Sequence, residues 1–295
     1  MIALAYRCLR NDYESLLERE TQRVSPPTPK DVHQTRIAAH RLRVGLKLFA
    51  PLLPGDLSRC LRRDLRWFAR TLGAVRDIDV HAKSLRRHLR SEGERSAREL
   101  GDFELALRHD RTAAQEELRG VFASARYAAL MASLSELLDG APTPAALRRG
   151  HSCTVGEGAA HYLKRARRRV IERGRKLDSE SPADELHRLR IRAKHLRYAL
   201  EFFLATYPGL EVAAAAAKAL QNVLGKHHDA LTQRRRVQGY KRALRKRHRN
   251  DAAAPEALTE WGSTLHRRAQ QARLDFAAEW PRFLAGTRLS LGRQR

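Results

Sequence analysis

The sequence predicts an all-α protein made of two pseudo-symmetric antiparallel helical bundles, each a copy of one four-helix unit. Three observations carry that reading. Ala, Leu, Arg and Glu fill nearly every segment, and clusters of β-branched residues are missing, which is a helix-forming composition. Most breaks coincide with Pro or Gly, near Pro26–Pro29, Pro51–Gly55, Gly93, Gly140–Pro144, Pro182, Pro208–Gly209 and Pro255, where a helix is costly to continue. Finally, two blocks of sequence recur in the same order, the mark of internal duplication.

Between the breaks, apolar periodicity predicts helices over about 2–23, 29–50, 56–90 and 95–138, then 155–177, 182–206, 210–247 and 255–284. Each set runs medium, medium, long, long. The chain therefore divides into a first half (1–140), a linker (141–154) and a second half (155–295), the two halves forming one domain. The second helix of each set starts alike. Thr28-Pro29-x-Asp31 and Ser181-Pro182-x-Asp184 both read as an N-cap, a Pro at N1 and an acid at N3.

The repeat is explicit in those helices. VHQTRIAAHRLRVGLKLFAPLLP from Val32 aligns without gaps on LHRLRIRAKHLRYALEFFLATYP from Leu186. Identities include His33/His187, Arg36/Arg190, Leu42/Leu196, Arg43/Arg197, Leu46/Leu200 and Phe49/Phe203. Downstream, LGAVRD (Leu72 to Asp77) answers LGKHHD (Leu224 to Asp229).

At about 100° per residue, His33, Arg36, His40, Arg43 and Lys47 fall in a band roughly 80° wide. An apolar band of Leu42, Leu46, Phe49 and Leu53 lies beside it rather than opposite. His187, Arg190, Lys194 and Arg197 repeat the pattern, flanked by Leu189, Leu196, Leu200 and Phe203; Glu201 breaks the sign at the place of Lys47. A solvated face would scatter its charges. Confinement to the edge of the apolar band predicts projection into a groove between helices. Like charges at i,i+3 and i,i+4 repel, so stacking them twice implies an anion in the groove. One helical turn climbs about 5.4 Å, comparable to the spacing of phosphates in an extended chain. Arg supplies a bidentate fork, Lys a mobile charge, and His a donor that phosphates would protonate.

The net charge agrees. Against 33 Asp+Glu stand 58 Lys+Arg, giving +25, and such a surplus points to nucleic acid, acidic membrane or phosphate polymers. Aromatics make up only 6% and no stacking platform is interleaved with basic residues, so nucleic acid ranks second as a partner. No segment is an apolar run of membrane length. Cys8, Cys60 and Cys153 are scattered without metal or redox spacing, which suits a reducing, cytoplasmic setting. Catalytic signatures are missing too: there is no Gly-rich phosphate loop, nucleophile elbow, H-E-x-x-H or carboxylate cluster. His227-His228-Asp229 is a poor metal site, because adjacent helical ligands diverge by about 100°. Asp77 and Asp229 are expected to orient nearby Arg or His or to cap a backbone group, and the Leu-Gly pairs suggest close helix approach. The sequence calls for no cofactor and no metal.

These blocks resemble the CHAD family, the conserved histidine α-helical domain, whose hallmark is a duplicated H-x-x-R-x-x-x-[RK]-x-x-R helix followed by one ending in L-G-x-x-x-D. Here the copies are His33-x-x-Arg36-x-x-x-His40-x-x-Arg43 and His187-x-x-Arg190-x-x-x-Lys194-x-x-Arg197, then Leu72-Gly73…Asp77 and Leu224-Gly225…Asp229. His40 departs from the expected Arg or Lys. The resemblance implies a basic groove or pore between the bundles, inorganic polyphosphate as ligand and association with polyphosphate granules. It also implies that Arg66 and Lys218 add charge to the groove, with Arg62, Arg70 and Arg76 as neighbours and His228 in the place of Arg76. Some CHAD domains are joined to a triphosphate-tunnel hydrolase domain with a strand-borne E-x-E-x-K motif, and no such strand is found here.

Overall fold

The computed structural model describes residues 1–21, 27–140, 155–178, 180–207, 209–247 and 255–288, and all regular structure among them is helical. In chain order the helices are α1 (Ile2–Thr21), α2 (Pro29–Leu48), α3 (Gly55–Glu92), α4 (Glu94–Glu99), α5 (Gly101–Phe122), α6 (Ala125–Asp139), α7 (Val155–Gly174), α8 (Ala183–Phe203), α9 (Leu210–Arg247) and α10 (Glu256–Gly286). The expected linker, 141–154, and Cys153 lie outside the described residues.

The first expected cap is present. Thr28 Oγ1 accepts from Asp31 N at 3.2 Å and Asp31 Oδ2 accepts from Thr28 N at 3.0 Å, a reciprocal box around Pro29. The second is not. Ser181 Oγ donates to Asp178 Oδ1 at 2.8 Å and accepts from Asp178 N at 2.9 Å, so its hydroxyl is spent closing the preceding loop. Helix α8 starts behind Pro182 with no side-chain cap.

The expected long helix over 95–138 is three helices. Gly93, at φ 84°, sets off the short α4, a conformation that glycine adopts without cost. The break before α6 is capped by Ser124, whose Oγ accepts from Tyr127 N at 3.2 Å. That bend packs Phe122 edge-on and Tyr127 at a tilt against Phe68, with ring centroids 5.7 and 5.0 Å away. Helices α3 and α9 are each 38 residues long.

Two helical bundles result. In one, α2 packs on α1 and α3, α5 lies along α3, and α6 touches both α1 and α3. In the other, α8 packs between α7 and α9, and α9 lies along α10. They meet where α2 crosses α8, where α3 touches α9 and where α4 touches α10. The main apolar core runs through the α2–α8 crossing, with Phe49 6.0 Å from Phe202 and 6.3 Å from Phe203. Gly45 lets α1 and α8 both come close to α2, since a Cβ there would meet Leu9 Cδ2 at 2.8 Å and Phe202 Cζ at 3.4 Å. A second apolar cluster, centred on the fully buried Trp261, ties the far ends of α3 and α9 to α5 and α10.

Candidate functional site

Because α2 is buried against α1, α3 and α8, its basic band has no broad solvent face to occupy. The second half of the band opens instead on a cavity of about 260 Å³ between the bundles, whose lining does not include His33, Arg36, Arg76, His187, Arg190 or His228. From α2 come His40, Arg43 and Lys47; from α3 come Arg62 and Arg66; from α8 comes Lys194. Arg59, Arg63, Tyr162 and His195 complete the polar lining, and no carboxylate contributes to it. Among the described residues, Arg36, Arg43, Lys47, Arg62, Arg66, Arg190 and Lys194 have no carboxylate within ion-pair distance.

Burial and neighbouring cations disfavour the charged forms of Arg43, Lys47, Arg190 and Lys194. Burial, then Arg36, Arg190, Arg43 and Arg197, pushes the Lys194 ammonium down to about 7. Burial and then Lys194 hold the His40 imidazole far below its ordinary value, and burial, Lys194, Lys47 and Arg43 bring His195 to about 4. Arg43 is lowered by burial, Arg66 and Arg62. Buried Nε atoms of Arg36 and Arg190, and Nδ1 of His33, have no hydrogen-bond partner. Unsatisfied buried donors are costly, and a phosphate oxygen would satisfy them.

The glycines of the downstream blocks hold the stripe arginines. A Cβ on Gly73 would lie 3.8 Å from Arg36 Nε, and one on Gly225 would lie 3.9 Å from Arg190 Nε. The expected close approach is thus of a guanidinium to a helix. Residues 7–238 match the CHAD domain. The chain belongs to the CHAD family. Its fold is similar to the crystal structure of the CHAD domain from the plant Ricinus communis, with TM-score 0.77 and 23% identity over 100% of this chain and 94% of that one. It is also similar to PptA from Streptomyces chartreusis, with TM-score 0.76 and 18% identity over 95% of this chain and 99% of that one. No curated protein matches.

Set against the CHAD motif, the histidines gather at the other end of the stripes. His187 Nδ1 lies 3.1 Å from His228 Nδ1 with the rings 4.4 Å apart. Correspondingly, burial and then the charge of Arg76 depress His33. Asp229 and Asp77 sit within electrostatic range of both Arg36 and Arg190. Neither carboxylate hydrogen-bonds a stripe arginine, so they act on these cations at longer range.

Some expected site residues lie elsewhere. Glu201 does not break the sign of the cavity. It hydrogen-bonds Arg41, which reaches Asp12 at 2.7 Å and lies 4.9 Å over Phe202. Arg197 is drawn to the same carboxylate, at 3.3 Å. Arg70 and Lys218 are exposed and line no part of the cavity. Arg59, Arg63, Tyr162 and His195 join the cavity from outside the two stripes, and Arg165 and Arg169 stand near Lys47. The basic run Lys164–Arg169 was a signal for the last two. His195, adjacent to Lys194, falls outside the narrow band.

Among the described residues no three His, Cys, Asp or Glu are placed to hold a metal ion, and His227 is buried. No helix among them is long and apolar enough to cross a membrane.

Proposed function

We propose that this protein binds inorganic polyphosphate in the groove between its bundles, as a binding protein rather than a catalyst. The observation that carries the reading is the carboxylate-free cavity lined by His40, Arg43 and Lys47 of α2, Arg62 and Arg66 of α3 and Lys194 of α8. Arg59 and Arg63 at its rim pair with Asp56 and Asp64, but Arg43, Lys47, Arg62, Arg66 and Lys194 have no carboxylate at ion-pair distance, so an anion meets them without first breaking ion pairs. A linear chain of phosphates can thread a slot between helices and meet a charge at each turn. Membership of the CHAD family favours polyphosphate among such anions, and binding of this kind would place the protein on polyphosphate granules. Duplex nucleic acid suits the slot less well, because its width and the want of exposed rings in the lining oppose stacking.

Full-length protein in which Arg43, Arg62 and Lys194 are changed to Gln should lose about three orders of magnitude in affinity for long-chain polyphosphate, as expected for three charge-assisted contacts, with helicity by circular dichroism unchanged. Unchanged affinity would sink the proposal. In competition, excess polyphosphate should displace DNA while excess DNA leaves polyphosphate bound.

A further inference from the structure

Beside the cation cavity lies a second one of about 420 Å³, and the two share Lys47 and Tyr162. Its character is different. The floor is apolar, built from Leu48, Phe49, Leu52 and Phe203, with Ala166 on the α7 side. The mouth carries His161, Arg165 and Arg169. No group of an inorganic phosphate chain would fill such a floor. Its volume is in the range of small-molecule sites, roughly 300–1,000 Å³.

We propose that this second cavity receives the base of a nucleoside polyphosphate whose phosphates occupy the cation cavity next to it. The inference rests on the polyanion reading of that first cavity and adds an organic ligand to it. Lys47 stands at the boundary, where α- and β-phosphates would pass from one cavity to the other. Guanidinium groups stack on flat bases, and the Tyr162 hydroxyl, kept protonated by burial, offers a donor to a ring nitrogen or carbonyl. An alkyl chain would use the floor but leave these polar groups idle, so a heteroaromatic ring fits the lining better than a lipid tail.

Calorimetric titration of the full chain with ATP, inorganic triphosphate and octyl phosphate tests this. Triphosphate carries as many phosphates and more charge than ATP, so charge alone ranks it first. ATP should nonetheless bind about tenfold more tightly than triphosphate. Ala166→Phe, which fills the second cavity, should bring ATP down to the triphosphate level and leave triphosphate unchanged, the latter also showing that the variant is folded. Equal affinities for ATP and triphosphate, or equal weakening of both by Ala166→Phe, would overturn the inference. An octyl group that gained as much as the nucleoside would likewise overturn it. If triphosphate itself failed to bind, the polyanion reading would fall instead.

Discussion

His40 and Lys194 hold the same place in the two copies of the repeat, and the fold sets them against each other where α2 crosses α8, both lining one cavity. Lys194 is the first charge that depresses His40. Two permanent cations there would repel across a low-dielectric gap. A residue that sheds its charge on one side relieves this, which accounts physically for a His where the family pattern has Arg or Lys.

Lys194 should take up a proton when a polyanion binds. Its ammonium titrates at about 7 in the free protein, under burial and the charges of Arg36, Arg190, Arg43 and Arg197. Phosphate oxygens favour the charged form. Above pH 7 binding then requires protonation, so polyphosphate affinity should fall as pH rises from 7 to 9. Titrations in buffers of different ionisation enthalpy should report the uptake. Lys194→Met should remove most of it above pH 7, leaving the histidines, whose uptake belongs to lower pH.

The same group sets a stability trend. Its folded pKa lies below the unfolded 10.5, so between about 7 and 10.5 the unfolded chain binds more protons and this lysine's contribution to stability rises with pH. Below 7 both states are charged and the full repulsion is felt. Lys194→Met should therefore stabilise the free protein at pH 6 by on the order of 1 kcal/mol after solvent screening, and by less at pH 10. Urea denaturation at the two pH values checks the sign.

Gly73 and Gly225 should tolerate Ala but not Leu. An added Cβ makes only ordinary contact with Arg36 or Arg190, and Ala favours a helix interior by about 0.5–1 kcal/mol. Thermal melts of Gly73→Ala and Gly225→Ala should match or exceed the parent, with polyphosphate binding retained. Leu at either site would push the guanidinium aside and cost about tenfold in affinity, the worth of one charged hydrogen bond.

Helix content and the order of most elements were legible because they follow from periodicity and repetition. The Thr28 cap was legible because its partners are local. The Ser181 cap was misread because Asp178, outside the motif, competes for the hydroxyl. The split of the fourth helix depends on Phe68, a long-range ring partner that no local pattern signals. Glu201 looked like a flaw in the stripe because its partner Arg41 sits on another helix. Arg165 and Arg169 belong to α7, and only the fold brings that helix to the rim beside Lys47.

Glu201 should matter to stability and little to binding. It serves Arg41 and Arg197 together, and both arginines are largely buried. Glu201→Ala leaves Arg41 with Asp12 alone, and should cost about 1–3 kcal/mol in a denaturant titration. Removing this negative charge from the neighbourhood of the groove should raise polyphosphate affinity by no more than about threefold, as for a partly screened pair.

The sharpest separation is between arginines on one helix. Arg62, Arg66 and Arg70 repeat every turn of α3, and sequence alone makes them equivalent. The cavity takes in Arg62 and Arg66 and stops short of Arg70. Arg62 also lowers both Arg43 and Lys47, so its charge is felt where the ligand would lie. An anion seated there recovers that repulsion as attraction, whereas a phosphate near the exposed Arg70 is screened over a Debye length of about 8 Å at physiological salt. Arg62→Gln should thus weaken polyphosphate binding at least about tenfold, the order of one charged contact. Arg70→Gln, and Lys218→Gln on α9, should change it less than about threefold at that ionic strength, the scale of a surface charge. Equal losses at all three positions would mean that binding follows diffuse surface charge, and the cavity would not be where the polyanion sits.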